Sequence, residues 1–169
     1  MGHQMTGKID AAWIDHWAKH YDEDYDARLE EIGRQVRQPG YYNQEDLLEV
    51  GRWKARGRTQ SRLKANKDAE IRDITRMALQ AEMPYQHRIL TLLKGVGVPT
   101  ASALLMVWDQ DRHTVIDTNA VAALRAHDEI GPDDPAYPGY LEVCQEIHRR
   151  CKRPLRKVDR ALYEWGRQH

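Results

Sequence analysis

Apolar residues recur every three or four positions over most of this chain, which is the spacing of one face of an α-helix. The first run starts at Ile9 and Trp13 and continues to Val36, and Pro39-Gly40 ends it. The pattern predicts N-terminal helices within residues 9–38.

Capping signals divide the middle of the chain. Asn43 is a residue of the N-cap type, and a short helix to about Trp53 is predicted after it. The stretch from Lys54 to Asn66 has little apolar periodicity and predicts a loop. Asn66 is again of the N-cap type, so the next helix is expected to begin there.

Two predicted helices meet at a glycine turn within residues 84–108. Pro84 and Pro99 suit the first turns of helices, and Gly95-Val96-Gly97 stands just before the second helix. Helices joined by so short a turn form a hairpin.

The remaining residues continue the helical pattern. Residues 109–124 predict an extended entry and then a helix capped by Asp117 or Thr118, and residues 140–167 predict two closing helices. We therefore expect an all-α fold in a single domain over residues 1–169.

Composition narrows the class of protein. The longest apolar stretch, Ala101 to Trp108, is far short of the roughly 20 residues that a membrane span needs, and no signal peptide is visible. A soluble, cytoplasmic protein without a membrane partner is expected. The two cysteines, Cys144 and Cys151, are interpreted as buried thiols and are too few for a four-cysteine iron–sulfur cluster, so no such cluster is expected.

The formal net charge is zero, but the charge is unevenly distributed. Seven basic residues and no acidic one lie between Arg52 and Lys67, and this stretch either follows a DNA backbone through Lys54, Arg56 and Arg58 or is a solvated loop. The second basic run, from residue 149 to residue 160, either adds to a basic face or pairs with the acidic N-terminal helix inside the fold.

Aromatic and histidine residues near the N-terminus have structural interpretations. His16 and His20 stand four residues apart, but the glutamate of a zinc-protease motif does not lie between them. The tryptophans Trp13 and Trp17 are more typical of a core than of a base-stacking platform.

A Gly-x-Gly turn between helices has a chemical use. Glycines let the backbone turn tightly, and the amides that begin the second helix face outward with the positive end of its dipole. An anion such as a DNA phosphate fits there, although glycines also serve packing alone in many helix pairs.

Two motifs together resemble those of the helix-hairpin-helix (HhH-GPD) DNA glycosylase superfamily. That family has a Leu-Pro-Gly-Val-Gly-x-Lys-Thr-Ala hairpin and a downstream Val-Asp-Thr-His-Val segment. This chain has Leu93-Lys94-Gly95-Val96-Gly97-Val98-Pro99-Thr100-Ala101 and then Val115-Ile116-Asp117-Thr118-Asn119-Ala120-Val121. The offset of eighteen residues from position 99 to Asp117 is similar to the spacing in bifunctional members.

The resemblance implies roles for individual residues. Asp117 would be the catalytic carboxylate that stabilises an oxocarbenium-like sugar, or activates water, at a flipped nucleotide. It also implies a site for a monovalent cation, Na⁺ or K⁺, on the backbone carbonyls of Thr91, Leu93 and Val96, and no required cofactor. The implied DNA-contacting residues of the hairpin are Lys94, Gly95, Val96, Gly97 and Thr100.

Three residues depart from the family pattern. Pro99 replaces the lysine that forms a Schiff base in bifunctional members, and because proline has no amine, strand cleavage by that route is excluded. Lys94 replaces the hairpin proline and suits a phosphate neighbour, and Asn119 replaces the histidine.

The resulting hypothesis is a small monofunctional DNA N-glycosylase of base-excision repair, with DNA as its partner. The alternatives are a non-catalytic helix-hairpin-helix DNA-binding module and a helical protein-interaction domain whose glycine hairpin is purely structural.

Overall fold

The computed structural model describes residues 9–169, and the fold of these residues is all-α, without a β-strand. They form two compact units. The first unit combines residues 9–22 with Ile116–His169, and the second is the continuous stretch Glu23–Val115.

Short connections separate the helices. A 3₁₀ turn at Glu23–Asp26 lies between the first two α-helices. In chain order the α-helices of the described residues are α1 (Ala11–Ala18), α2 (Ala27–Arg37), α3 (Gln44–Ala55), α4 (Gln60–Lys64), α5 (Asp68–Gln80), α6 (Met83–Leu90), α7 (Val98–Trp108), α8 (Thr118–Ala126), α9 (Tyr137–Cys151) and α10 (Leu155–Gln168).

The centre of the second unit is α7. Its residues from Thr100 to Val107 are all buried, and α2, α3 and α6 pack around it. The fully buried Tyr42 donates its hydroxyl hydrogen bond to the Leu104 carbonyl at 2.6 Å. Each fully buried leucine in such a core contributes roughly 2 kcal/mol of hydrophobic stabilisation.

In the first unit, α10 packs against both α8 and α1. Its core includes Leu124, Leu141 and Leu162, which are fully buried. Cys144 and Cys151 are buried free thiols, as the sequence predicts, and burial raises the pKa of Cys151.

Several capping predictions are confirmed. The side chain of Asn43 accepts a hydrogen bond from the Asp46 amide at 2.8 Å, so Asn43 is the N-cap of α3. Asp117 is the N-cap of α8, and the two closing helices are α9 and α10.

Two predictions for the basic stretch are wrong. Residues 54–66 are not a loop, because α3 continues to Ala55 and α4 follows. A single buried residue, Leu63, anchors α4, and one apolar position in five residues gives no visible periodicity. Asn66 does not cap α5, since its side chain bonds elsewhere and the Lys67 amide instead donates to Glu70 Oε1 at 3.1 Å.

None of the helices described is long and apolar enough to cross a lipid bilayer.

Candidate nucleic-acid interface

The predicted hairpin lies between α6 and α7 in the second unit. Within the turn, the Val96 amide donates to the Leu93 carbonyl at 3.2 Å, and the Gly97 carbonyl accepts from the Ala101 amide at 2.9 Å. Gly97 is the N-cap of α7 and has an extended backbone. Because residues 97–99 are exposed, the first amides of α7 begin at the surface.

Gly95 needs to be glycine for two reasons. Its φ of +81° lies in the left-handed region that side chains disfavour. A Cβ atom there would also lie 3.1 Å from the Arg62 Cβ and from the Leu63 amide nitrogen. The turn therefore packs directly against α4, which carries part of the basic stretch.

Asn66 fastens the same turn to the end of α4. Its Oδ1 accepts a hydrogen bond from the Lys94 amide at 2.9 Å, and its Nδ2 donates to the Lys94 carbonyl at 2.9 Å. Nδ2 also donates to the Leu63 carbonyl at 2.9 Å. Because Asn66 is only 3% exposed, water cannot readily replace these bonds.

Replacing Asn66 with alanine is expected to lower the free energy of unfolding by about 2 kcal/mol, because it leaves the partly buried amide and carbonyl of Lys94 without their side-chain partner. Urea denaturation followed by circular dichroism measures the change. Asn43→Ala, which removes an ordinary helix cap, is the control and should cost about 1 kcal/mol. Equal losses in the two variants would contradict the fastening role.

Most of the basic side chains in the stretch next to the hairpin form no ion pair with an acidic side chain of the described residues. Arg52 pairs with Glu49 at 3.4 Å, and Arg58 donates to the backbone carbonyl of Ala55. Lys94 on the hairpin is exposed. Within the described part of the chain, no acidic side chain pairs with Lys54, Arg56, Arg58, Arg62, Lys64, Lys67 or Lys94.

Most cations of the second basic run are paired with acids inside the first unit. Asp15 on α1 forms ion pairs with Arg153, at 2.8 Å, and with Lys157, at 2.6 Å. The hydrogen bonds from these two side chains, and that from Arg153 most strongly, hold the pKa of Asp15 well below its usual range. Of the two alternatives for this run, pairing within the fold is therefore confirmed. Further pairs of the run are Arg156 with Asp159, Arg150 with Glu129 and Arg149 with Glu146.

Asp117 belongs to the first unit, whereas the hairpin belongs to the second. Its side chain is partly buried, and Oδ1 accepts a hydrogen bond from the Ala120 amide at 2.7 Å. Burial raises the pKa of Tyr140 well above its usual range, and the charges of Cys144, Asp159 and Asp117 contribute to that rise. The carboxylate of Asp117 therefore lies close enough to a buried phenol to influence it.

The other predicted contacts differ in exposure. Thr91 is exposed and Thr100 is buried, as are Leu93 and Val96. The Leu93 carbonyl oxygen accepts a hydrogen bond from the Val96 amide. A carbonyl oxygen has a second lone pair, which could face a cation. The monovalent-cation site stays a prediction.

Histidines and tryptophans of the first unit form a ring cluster. His16 and His20 lie 5.3 Å apart between ring centroids, and Trp13 and Trp165 both contact His127 edge-on at 4.9 Å. Over residues 9–169, no three histidine, cysteine or acidic side chains come together as a metal site.

The sequence interpretation missed two features of the second unit. One is Asn66, whose residue type suggested a cap although it acts on a turn 28 residues away. The other is the outward face of α6, where Tyr85 and Leu92 are exposed. These two residues stand seven positions apart, which is the spacing of one helix face, and sequence alone does not show whether such a face is buried or exposed.

Comparison of the chain with known protein families, characterised proteins and solved structures finds no significant match.

Proposed function

We propose that this protein binds DNA through the hairpin and the adjoining basic residues of α3 and α4. The observation that carries the proposal is the packing of the Gly95 turn against Arg62 and Leu63. This packing joins the hairpin to a basic segment in which, among the described residues, Arg52 alone is paired with an acid. The two features were separate hypotheses in the sequence, and in the fold they adjoin.

The chemistry of the hairpin suits a phosphate group. Amides at the start of α7 and the positive end of its dipole favour an anion near Gly97 and Val98. Lys94 precedes the turn and Arg62 adjoins it, so cations are available to replace the counterions of a DNA backbone. Such contacts position the DNA without reading its sequence.

We further propose that the protein is a monofunctional DNA N-glycosylase with Asp117 as its carboxylate. The resemblance of its two motifs to those of the glycosylase superfamily supports this step. In the reaction, the bond between the base and the sugar C1′ breaks and the carboxylate stabilises the positive sugar. Water then adds its oxygen to C1′, and the proton that this water releases protonates the departing base. Pro99 has no amine, so no strand cleavage through a Schiff base is expected.

DNA binding is tested by fluorescence anisotropy with a labelled duplex over a series of salt concentrations. Lys94→Ala and Arg62→Ala are each expected to weaken binding severalfold and to reduce the salt slope by about 1, because each removes a phosphate contact. Arg149→Ala is the matched control, since it also removes one arginine charge but from a residue already paired with Glu146.

Two results would contradict the binding proposal. If Arg149→Ala weakens binding as much as Lys94→Ala does, net charge rather than the hairpin governs affinity. If the unmodified protein shows no salt-sensitive binding, the interaction-domain alternative replaces the proposal.

Catalysis is tested by the release of free base from duplexes that carry a panel of damaged bases. Asp117→Asn is expected to reduce release by at least about 100-fold. Asparagine caps helices as well as aspartate does, so α8 should persist in this variant, which circular dichroism checks. Absence of release from every lesion would favour the non-catalytic DNA-binding module.

A further inference from the structure

An open groove in the second unit lies along the outward face of α6 and the two residues that follow this helix. Tyr85 is 55% exposed and Leu92 is 67% exposed, although both are large apolar residues. Together with Arg88, Ile89 and Thr91 they line a groove of about 450 Å³. This volume lies within the range of roughly 300–1,000 Å³ that small-molecule sites occupy.

The lining residues have the chemistry of a nucleotide site. Tyr85 offers an aromatic face on which a flat base can stack, and Leu92 adds an aliphatic surface to the same groove. Arg88 supplies a guanidinium group, which binds phosphate and also stacks on bases. Acidic side chains are absent from the lining, and Arg88 has no ion pair with the described residues.

The groove is continuous with the hairpin. Leu92 lines the groove, and the next residues along the chain are Leu93 and Lys94, where the turn begins. A DNA strand whose phosphate lies on the amides of α7 would therefore pass beside the groove. The negative charge of such a strand is complementary to Arg88, which lines the groove, and to Lys94, which follows Leu92 by two residues.

We propose that the groove binds one unpaired nucleobase of a DNA strand held by the hairpin. A base inside a duplex has both faces stacked and cannot enter, so the protein prefers DNA with an unpaired nucleotide to an intact duplex. This inference rests on the proposed DNA binding and adds the kind of DNA that is recognised.

The test compares three labelled DNAs by anisotropy: an intact duplex, the same duplex with one extra unpaired nucleotide, and the single strand. The unmodified protein is expected to bind the bulged duplex about tenfold more tightly than the intact one. Tyr85→Ala should remove this preference without changing the affinity for the intact duplex, and Tyr85→Phe should retain it because the aromatic face remains.

A second readout follows the base itself. With 2-aminopurine as the unpaired nucleotide, stacking in the groove should quench its fluorescence when the unmodified protein binds, and Tyr85→Ala should abolish the quenching. The control is Met77→Ala, because Met77 on α5 is also 52% exposed but does not line the groove. This variant should behave as the unmodified protein does.

The outcomes separate the two proposals. Equal binding of the bulged and intact duplexes, without quenching, overturns the groove inference and leaves DNA binding intact. Equal weakening of both duplexes by Tyr85→Ala also overturns it, because the residue would then contact the backbone. Absence of binding to any of the three DNAs overturns both proposals and would leave the groove to an apolar protein partner.

Discussion

Replacing Gly166 with alanine is expected to destabilise the protein by about 3 kcal/mol, the largest effect that any single methyl group should have here. A Cβ atom at Gly166 would lie 2.1 Å from the carbonyl oxygen of Asn119 and 2.5 Å from its carbon. These are backbone atoms at the start of α8, which cannot rotate away as a side chain can. The helices must separate or the last turn of α10 must unwind.

Either response should be visible in tryptophan fluorescence as well as in urea denaturation. Trp165 precedes Gly166, packs edge-on against His127 and stacks on His169 at 4.2 Å. Movement of the last turn of α10 would expose the indole ring to water and shift its emission to longer wavelength. The start of α8, two residues before Asn119, also carries Asp117, so the variant should lose any activity that depends on this carboxylate.

Gly139→Ala is the matched control for this prediction. Gly139 also lies in a helix of the first unit, α9, but a Cβ atom there would meet nothing within 4 Å. Alanine should be neutral or should stabilise the protein by up to about 1 kcal/mol, because glycine is a poor helix former. Equal stability of the two alanine variants would contradict the close packing of α10 on α8 at Gly166.

Gly95→Ala is expected to cost about 2–3 kcal/mol. The left-handed backbone of residue 95 accounts for roughly 1–2 kcal/mol, and the remainder comes from the tight approach of a Cβ atom to Arg62 and Leu63. Urea denaturation measures the stability of the variant, and the anisotropy assay with intact duplex measures its affinity for DNA. DNA binding should weaken more in this variant than in Lys94→Ala. The alanine at position 95 displaces the whole turn, whereas Lys94→Ala removes a single charge.

Substitutions at two further glycines separate the cost of the backbone conformation from the cost of the steric contact. Gly40 has a φ of +78° but open space around it, so Gly40→Ala reports the backbone cost alone, about 1 kcal/mol. Gly97 has extended backbone, and a Cβ atom there would meet only the Pro99 Cδ at 3.8 Å, so Gly97→Ala should cost only the weaker N-cap of alanine, less than about 1 kcal/mol. A loss in Gly95→Ala no greater than that in Gly40→Ala would show that the turn does not pack on α4.

Local signals in the sequence predicted much of the fold. The N-caps Asn43 and Asp117, the first-turn prolines Pro84 and Pro99, and the closing helices were all visible, because caps and helix starts depend on residues within three or four positions. The glycine turn between α6 and α7 was likewise visible, since it needs glycine at a single position with positive φ.

Interactions between distant residues were not visible. α4 depends on one buried leucine beneath the hairpin turn, and the side chain of Asn66 bonds to a residue 28 positions away. The same residue type fits a cap or a distant fastening equally well, so sequence alone favoured the cap. The exposed face of α6 has the spacing of a buried one, and only packing shows which face remains open.

By itself, the sequence therefore determined the helices other than α4, the glycine turn between α6 and α7 and the uneven distribution of charge, because each is set by neighbouring residues and by composition. The tertiary structure alone decided which basic run stays unpaired. Asp15 pairs with Arg153 and Lys157 across about 140 residues of chain, whereas in the run from Arg52 to Lys67 Arg52 alone pairs with an acid among the described residues, its near neighbour Glu49. Ion pairs form between side chains that folding brings together, and separation along the chain does not predict them.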